Sequence, residues 1–157
     1  MNLPAKIGII GQFMLTKKIS PKFFLYLALA QSIVATLGSL FFSEVMKWTP
    51  CVLCWYQRIL MYPLIAIITV GIVRKDKGLP YYVLPLSILG WLIALYHNLL
   101  YYHILPESTA PCLLNVSCTT RYFVWFGFLS IPLLSFIAFS VINVAMIMYL
   151  QKTRRSV

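Results

Sequence analysis

Charge is what this chain has least of. Only 10% of its 157 residues are Asp, Glu, Lys or Arg, and just 3 of them are acidic. An average soluble domain is about 25% charged and about 45–50% apolar. Here 61% of residues are hydrophobic, and a water-facing surface for an 18.0 kDa globule is hard to assemble from so few charges. Glycine-rich phosphate loops and dinucleotide-binding patterns are missing, which removes the usual nucleotide cofactors. No internal repeat and no low-complexity stretch is found. The net charge of +10 would suggest nucleic acid in a soluble protein. The placement of the basic residues argues otherwise, and no nucleic-acid partner is expected.

What the chain does have is four long apolar runs, residues 23–42, 52–73, 81–104 and 123–150. Each supplies the roughly 20 apolar residues that a bilayer-spanning helix needs. Three contain no Lys, Arg, Asp or Glu, and the second contains only Arg58. A soluble helical bundle would show a polar stripe on each helix, and these runs mostly do not. The expected fold is all-α, an integral membrane four-helix bundle forming a single domain over residues 1–157.

Basic residues set the expected orientation. Lys6, Lys17, Lys18 and Lys22 precede the first run, Arg74, Lys75 and Lys77 lie between the second and third, and Lys152, Arg154 and Arg155 end the chain. Basic residues accumulate on the cytoplasmic side, so both termini and the middle loop are expected there. The loops at 43–51 and 105–122 then face outward. No cleavable signal peptide is convincing, and the first run is expected to act as the insertion signal. Trp48, Trp55, Tyr101, Tyr102, Tyr122, Phe123 and Trp125 gather near the outward ends, where aromatic rings favour the headgroup region.

All four cysteines fall on that outward side. Cys51 and Cys54 form a CxxC at the start of the second run, and Cys112 and Cys118 lie in the second outer loop. Thiols outside the cytoplasm can be oxidised, and disulfides persist there. Three chemistries fit such a set: two structural staples, a zinc site of four thiolates, or two redox pairs passing electrons. Five residues separate Cys112 from Cys118, which is wide for a zinc knuckle, and no metal is expected. Staples add little to helices that lipid already holds.

The surroundings of the CxxC favour redox chemistry. Pro50 before Cys51 suits a helix beginning there. A helix N-terminus carries partial positive charge, which favours thiolate, the attacking form of cysteine. Arg58 stands four residues after Cys54, on the same helical face. An arginine within an apolar span is costly and marks a functional candidate, although snorkelling to the headgroups is the plain alternative. A dithiol oxidase in lipid needs an electron acceptor, and a lipid-soluble quinone matches two electrons and two protons. Arg58 can donate to a quinone oxygen, and His97 in the third run can donate a hydrogen bond or relay a proton. A core hydrogen bond to a neighbouring helix accounts for His97 equally well. His103, near the interface, is given no role.

The string PCVLCWYQRI resembles the CxxC-x-x-[QE]-R signature of the DsbB family, including its Gram-positive relatives called BdbC. The resemblance covers nearly the whole chain. It implies a four-helix membrane protein that reoxidises an extracytoplasmic thioredoxin-like thiol oxidase, of the DsbA or BdbD kind, and passes electrons to a menaquinone or ubiquinone. It implies that Cys51 and Cys54 are the quinone-proximal pair with Cys54 nearest the ring, and that Arg58 supports the quinone. Cys112 and Cys118 are implied as the partner-facing pair, with Cys112 the site of the mixed disulfide. Tyr96-His97 resembles a tyrosine and histidine stretch before the second loop. The close spacing of Cys112 and Cys118 resembles the compact branch. Two alternatives stay open: a quinone or vitamin K epoxide reductase running related chemistry in the opposite direction, and a non-enzymatic membrane protein with structural disulfides or bound zinc.

Overall fold

A computed structural model describes residues 20–106 and 130–155. The described chain is all helical. Helix α1 runs Pro21–Leu40 and continues as a π-helical turn over Phe41–Val45; α2 runs Val52–Arg74, α3 Leu79–Tyr101 and α4 Ile131–Arg155. All four are long and apolar enough to cross a membrane. Successive helices are neighbours, and α1 also packs against α4. At the end where α4 finishes, Lys152 lies over the Phe24 ring of α1, 5.6 Å from its centroid, and Arg154 donates to the Tyr81 hydroxyl at the start of α3 at 2.7 Å. Helices α1 and α3 therefore start at the end of the bundle where α4 finishes.

Local chemistry sets the helix boundaries. Ser20-Pro21 opens α1, with proline in the first turn where its missing N–H costs nothing. Three helices end in a residue with positive φ that is not glycine: Lys47, Lys75 and His103. Lys75 closes α2 with hydrogen bonds from its own N–H to Ile72 and from Asp76 N–H to Gly71. His103 closes α3 in the same way, with bonds to Leu100 and from Ile104 to Leu99. These are Schellman closures, which satisfy the last carbonyls. Hydropathy places the end of the third run at 104, three residues beyond the end of α3 at Tyr101. The Schellman turn at His103 stops the helix although the apolar sequence continues. The fourth run is expected from 123; Ser130 caps the described helix through Leu133 N–H, and residues 123–129 lie outside the described residues.

The bundle buries large apolar side chains together with small and polar ones, and leaves many other large apolar side chains on its outer surface. Val73, Ile104 and Val34 are 75%, 68% and 64% exposed. That is the arrangement lipid favours, since the tails offer no gain for hiding leucine. Inside, α4 contributes Ala138, Phe139, Ile142, Ala145, Met146 and Tyr149, a stripe at helical spacing. Gly90 of α3 lets the helices approach: a Cβ there would run into the Phe139 ring. Polar pairs join the same two helices. Ser87 donates to Asn143 at 2.5 Å, Trp91 Nε1 to Ser140 at 2.9 Å, and Asn98 Nδ2 to the Pro132 carbonyl at 2.8 Å.

Candidate functional site

Cys51 is the N-cap of α2. Its backbone is extended, and its sulfur accepts a hydrogen bond from Cys54 N–H at 3.3 Å, replacing the hydroxyl or carboxylate usual at this position. That cap draws the two sulfurs together, at 2.8 Å. His97 reaches across from α3, with Nε2 3.7 Å from the Cys51 sulfur. Its other ring nitrogen, Nδ1, lies 3.3 Å from Gln57 Nε2. Gln57, His97 and Cys51 are all buried, so the line Gln57–His97–Cys51 runs through the interior between α2 and α3. The Cys51 thiol is held well below the ordinary range: the hydrogen bond from Cys54 contributes most, with the hydrogen bond and charge of His97 adding to it, while burial opposes.

Arg58, one turn beyond Cys54, is tied across to α1. Its Nε donates to Ser39 Oγ at 2.7 Å and its Nη2 to the Ser39 carbonyl at 2.8 Å, both on α1. Its guanidinium also lies 5.6 Å from the Trp55 ring centroid, within cation–π range. Ser39 sits just before the π-helical turn at Phe41–Val45, a widened geometry often found beside functional sites.

Cys51, Cys54, Gln57, Arg58 and His97 all line one cavity of about 300 Å³ among the four helices. The stacked pair Phe42 and Trp48, 5.4 Å apart and nearly parallel, lines the same space. Most of the remaining wall is apolar. Ligand sites commonly join an apolar cavity of this size to a few convergent polar groups.

The structure thus brings together Cys51, Cys54, Arg58 and His97 from the sequence-level set. Cys112 and Cys118 lie outside the described residues. His103 is exposed at the end of α3. Sequence reasoning gave no part to Ser39 or to Gln57, which stood inside the quoted signature without a role. Gln57 fills the [QE] position of that signature, and Ser39 offers only the signal of a polar residue inside an apolar run.

The family model described as "Disulfide bond formation protein DsbB" matches residues 21–149. The chain belongs to the DsbB family. It is 44% identical over 123 residues to "Disulfide bond formation protein C" of Bacillus subtilis strain 168, covering 78% of this chain and 89% of that relative. It is 44% identical to "Probable disulfide formation protein C 1" of Bacillus anthracis, over 76% of this chain and 86% of the relative. With "Probable disulfide formation protein" of Oceanobacillus iheyensis it shares 42% identity over 83% of this chain and 91% of the relative. No solved structure matches significantly. Membership in the DsbB family supports disulfide oxidoreductase activity in a multi-pass membrane protein.

Proposed function

We propose that this DsbB-family chain reoxidises an extracytoplasmic thioredoxin-like thiol oxidase and delivers the electrons to a membrane quinone, sustaining disulfide formation in exported proteins. The observation that carries this reading is the shared cavity: Cys54 and Arg58 line the same apolar-walled space, at the end of the bundle where α2 begins. Two guanidinium N–H groups go to Ser39. A guanidinium has five, so others remain to meet an acceptor oxygen. A quinone ring offers such oxygens on an apolar frame, so the donor set and the wall chemistry fit it. The distribution of basic segments supports placing this end at the outer face.

In the proposed cycle a reduced partner dithiol opens the Cys112–Cys118 disulfide through a mixed disulfide at Cys112. Exchange then reduces Cys51–Cys54. The Cys51 thiolate and Cys54 thiol reclose as the disulfide, two electrons pass to the quinone, and the quinol takes one proton from Cys54 and one from solvent. The Cys51 sulfur, held as thiolate, serves as the attacking form whenever that pair closes. Arg58 fixes the acceptor and offsets its developing negative charge.

The test is reconstitution. Purified protein, a reduced thioredoxin-like oxidase and a short-chain menaquinone are mixed, and quinone absorbance and partner thiols are followed together. One quinol per partner disulfide is expected, with no turnover in Cys54→Ser. Partner oxidation without quinol would refute the proposal.

One observation favours a second reading. The sulfurs of Cys51 and Cys54 and a ring nitrogen of His97 lie within 4.8 Å of one another, a soft donor set suited to a thiophilic metal. Stoichiometric zinc in protein that lacks quinone reductase activity would favour it.

A further inference from the structure

Cys51 caps α2, Cys54 follows in its first turn, and His97 stands on α3 one turn before its end at Tyr101. Their two sulfurs and a ring nitrogen lie within 4.8 Å of one another, and Cys51 and His97 are buried. A tetrahedral zinc ion holds sulfur at about 2.3 Å and imidazole nitrogen at about 2.0–2.1 Å. Those lengths separate two bound sulfurs by about 3.8 Å, and a sulfur from a nitrogen by about 3.5 Å. The Cys51 sulfur and His97 Nε2 already stand 3.7 Å apart. The two sulfurs, 2.8 Å apart, need only open by about 1 Å.

The surroundings suit such a site. A metal-bound imidazole keeps one nitrogen for the ion and donates the other N–H to an acceptor that orients the ring. His97 Nδ1 lies 3.3 Å from the side-chain amide of Gln57. Turning that amide over sets its carbonyl oxygen against Nδ1–H and leaves Nε2 to the ion. Two thiolates and a neutral imidazole balance a divalent charge, which a buried position requires. All three residues line the cavity of about 300 Å³, so a water has room as the fourth ligand.

We propose that reduced Cys51 and Cys54, with His97, form an inhibitory site for a thiophilic divalent ion, zinc or cadmium, that opens and closes with the redox state of the pair. The disulfide has no thiolate to offer, so the oxidised enzyme excludes the ion. Binding releases the thiol protons and moves no electrons, since neither ion is reduced by thiols. The ion holds both sulfurs, and while it does the pair cannot reclose and pass its electrons on. This rests on the proposed quinone function and adds a control to it: metal and quinone compete for the same reduced pair. A resident structural zinc would instead occupy the protein throughout.

The test uses the full chain in nanodiscs carrying Cys112→Ser and Cys118→Ser, which leaves Cys51 and Cys54 as its thiols. Cadmium is titrated anaerobically into the reduced and the oxidised chain, and the thiolate-to-cadmium charge-transfer absorption is read. One ion per reduced chain is expected, and none on the oxidised chain. Adding His97→Ala is expected to weaken binding roughly tenfold or more, with circular dichroism checking that the bundle is retained. Short-chain menaquinone is then added to the reduced chain with and without one equivalent of zinc. Zinc is expected to slow reclosure of the pair at least about tenfold, and a chelator to restore it. No absorption in the reduced chain overturns the inference, as does equal absorption in the oxidised chain or a loss within about twofold in His97→Ala. Bound zinc that leaves reclosure by menaquinone unchanged overturns the inhibitory role. Failure of menaquinone to reoxidise the metal-free pair is a different outcome: it sinks the parent proposal of a quinone acceptor.

Discussion

Ser39 gives the sharpest handle on Arg58, because it acts on the guanidinium without altering it. Its hydroxyl accepts from Nε at 2.7 Å while its carbonyl accepts from Nη2 at 2.8 Å. Ser39→Ala removes the first bond and leaves the second. A hydrogen bond to a charged group contributes about 1.5–3 kcal/mol. Arg58 is only half-buried and keeps its carbonyl contact, so the lower end of that range applies. About 1.4 kcal/mol corresponds to tenfold in an equilibrium constant. The apparent KM for quinone is therefore expected to rise roughly tenfold in Ser39→Ala. Arg58→Met, which removes the donor itself, is expected to exceed tenfold.

The assay varies quinone at saturating reduced partner, and then the reverse. Partner KM should stay within about twofold in both variants, because Arg58 and Ser39 are tied to each other across α1 and α2. Ser43→Ala is the control: its hydroxyl also approaches the Ser39 carbonyl, at 3.4 Å, but makes no bond to Arg58. An unchanged quinone KM in Arg58→Met would remove Arg58 from the acceptor site. A partner KM that rose instead would refute the assignment of the cavity to quinone.

Three further outcomes follow from the same geometry. The Cys51 thiol sits below its ordinary value of 9.0, at about 4, so its thiolate stabilises the reduced fold fully above that ordinary value and the contribution is lost as pH falls toward the lowered one. Reduced protein is expected to lose thermal stability from mildly alkaline to mildly acidic pH more steeply than oxidised protein, where Cys51 cannot titrate; parallel melting curves would contradict this. Gln57→Leu keeps the shape of the side chain but removes the amide beside His97 Nδ1, so alkylation of reduced Cys51 at about pH 4–5, where the thiolate fraction limits the rate, should slow about as much as in His97→Ala, and the double variant should be no slower than His97→Ala. Additive slowing, resolved by mass spectrometry of the CxxC peptide, would mean that Gln57 does not act through His97. Gly90→Val forces side-chain atoms into the Phe139 ring and should cost about 1–3 kcal/mol in denaturant unfolding from mixed micelles; a cost near zero would show that α3 and α4 separate easily there.

The helices were legible because lipid imposes a length and a composition, and both are visible without coordinates. Hydropathy failed where hydrogen bonds decide: apolar residues continue past Tyr101, but the left-handed His103 closes the helix. Cys51, Cys54 and Arg58 were legible because they share one helix, where spacing fixes the face. Ser39, Gln57, Thr36 and Tyr62 were not, because their meaning depends on what stands across from them, and register between helices is not written in either strand of sequence. A serine in a span says little by itself. Ser32 and Ser140 return their hydroxyls to the backbone and carry no message beyond that. Ser39 instead receives an arginine, and Thr36 is left with nothing. Ser39 and Arg58 line one cavity beside a dithiol, and Thr36 and Tyr62 belong to the same wall. What stands across from a polar residue, more than its presence in an apolar run, is what separates a site from a scaffold inside a membrane.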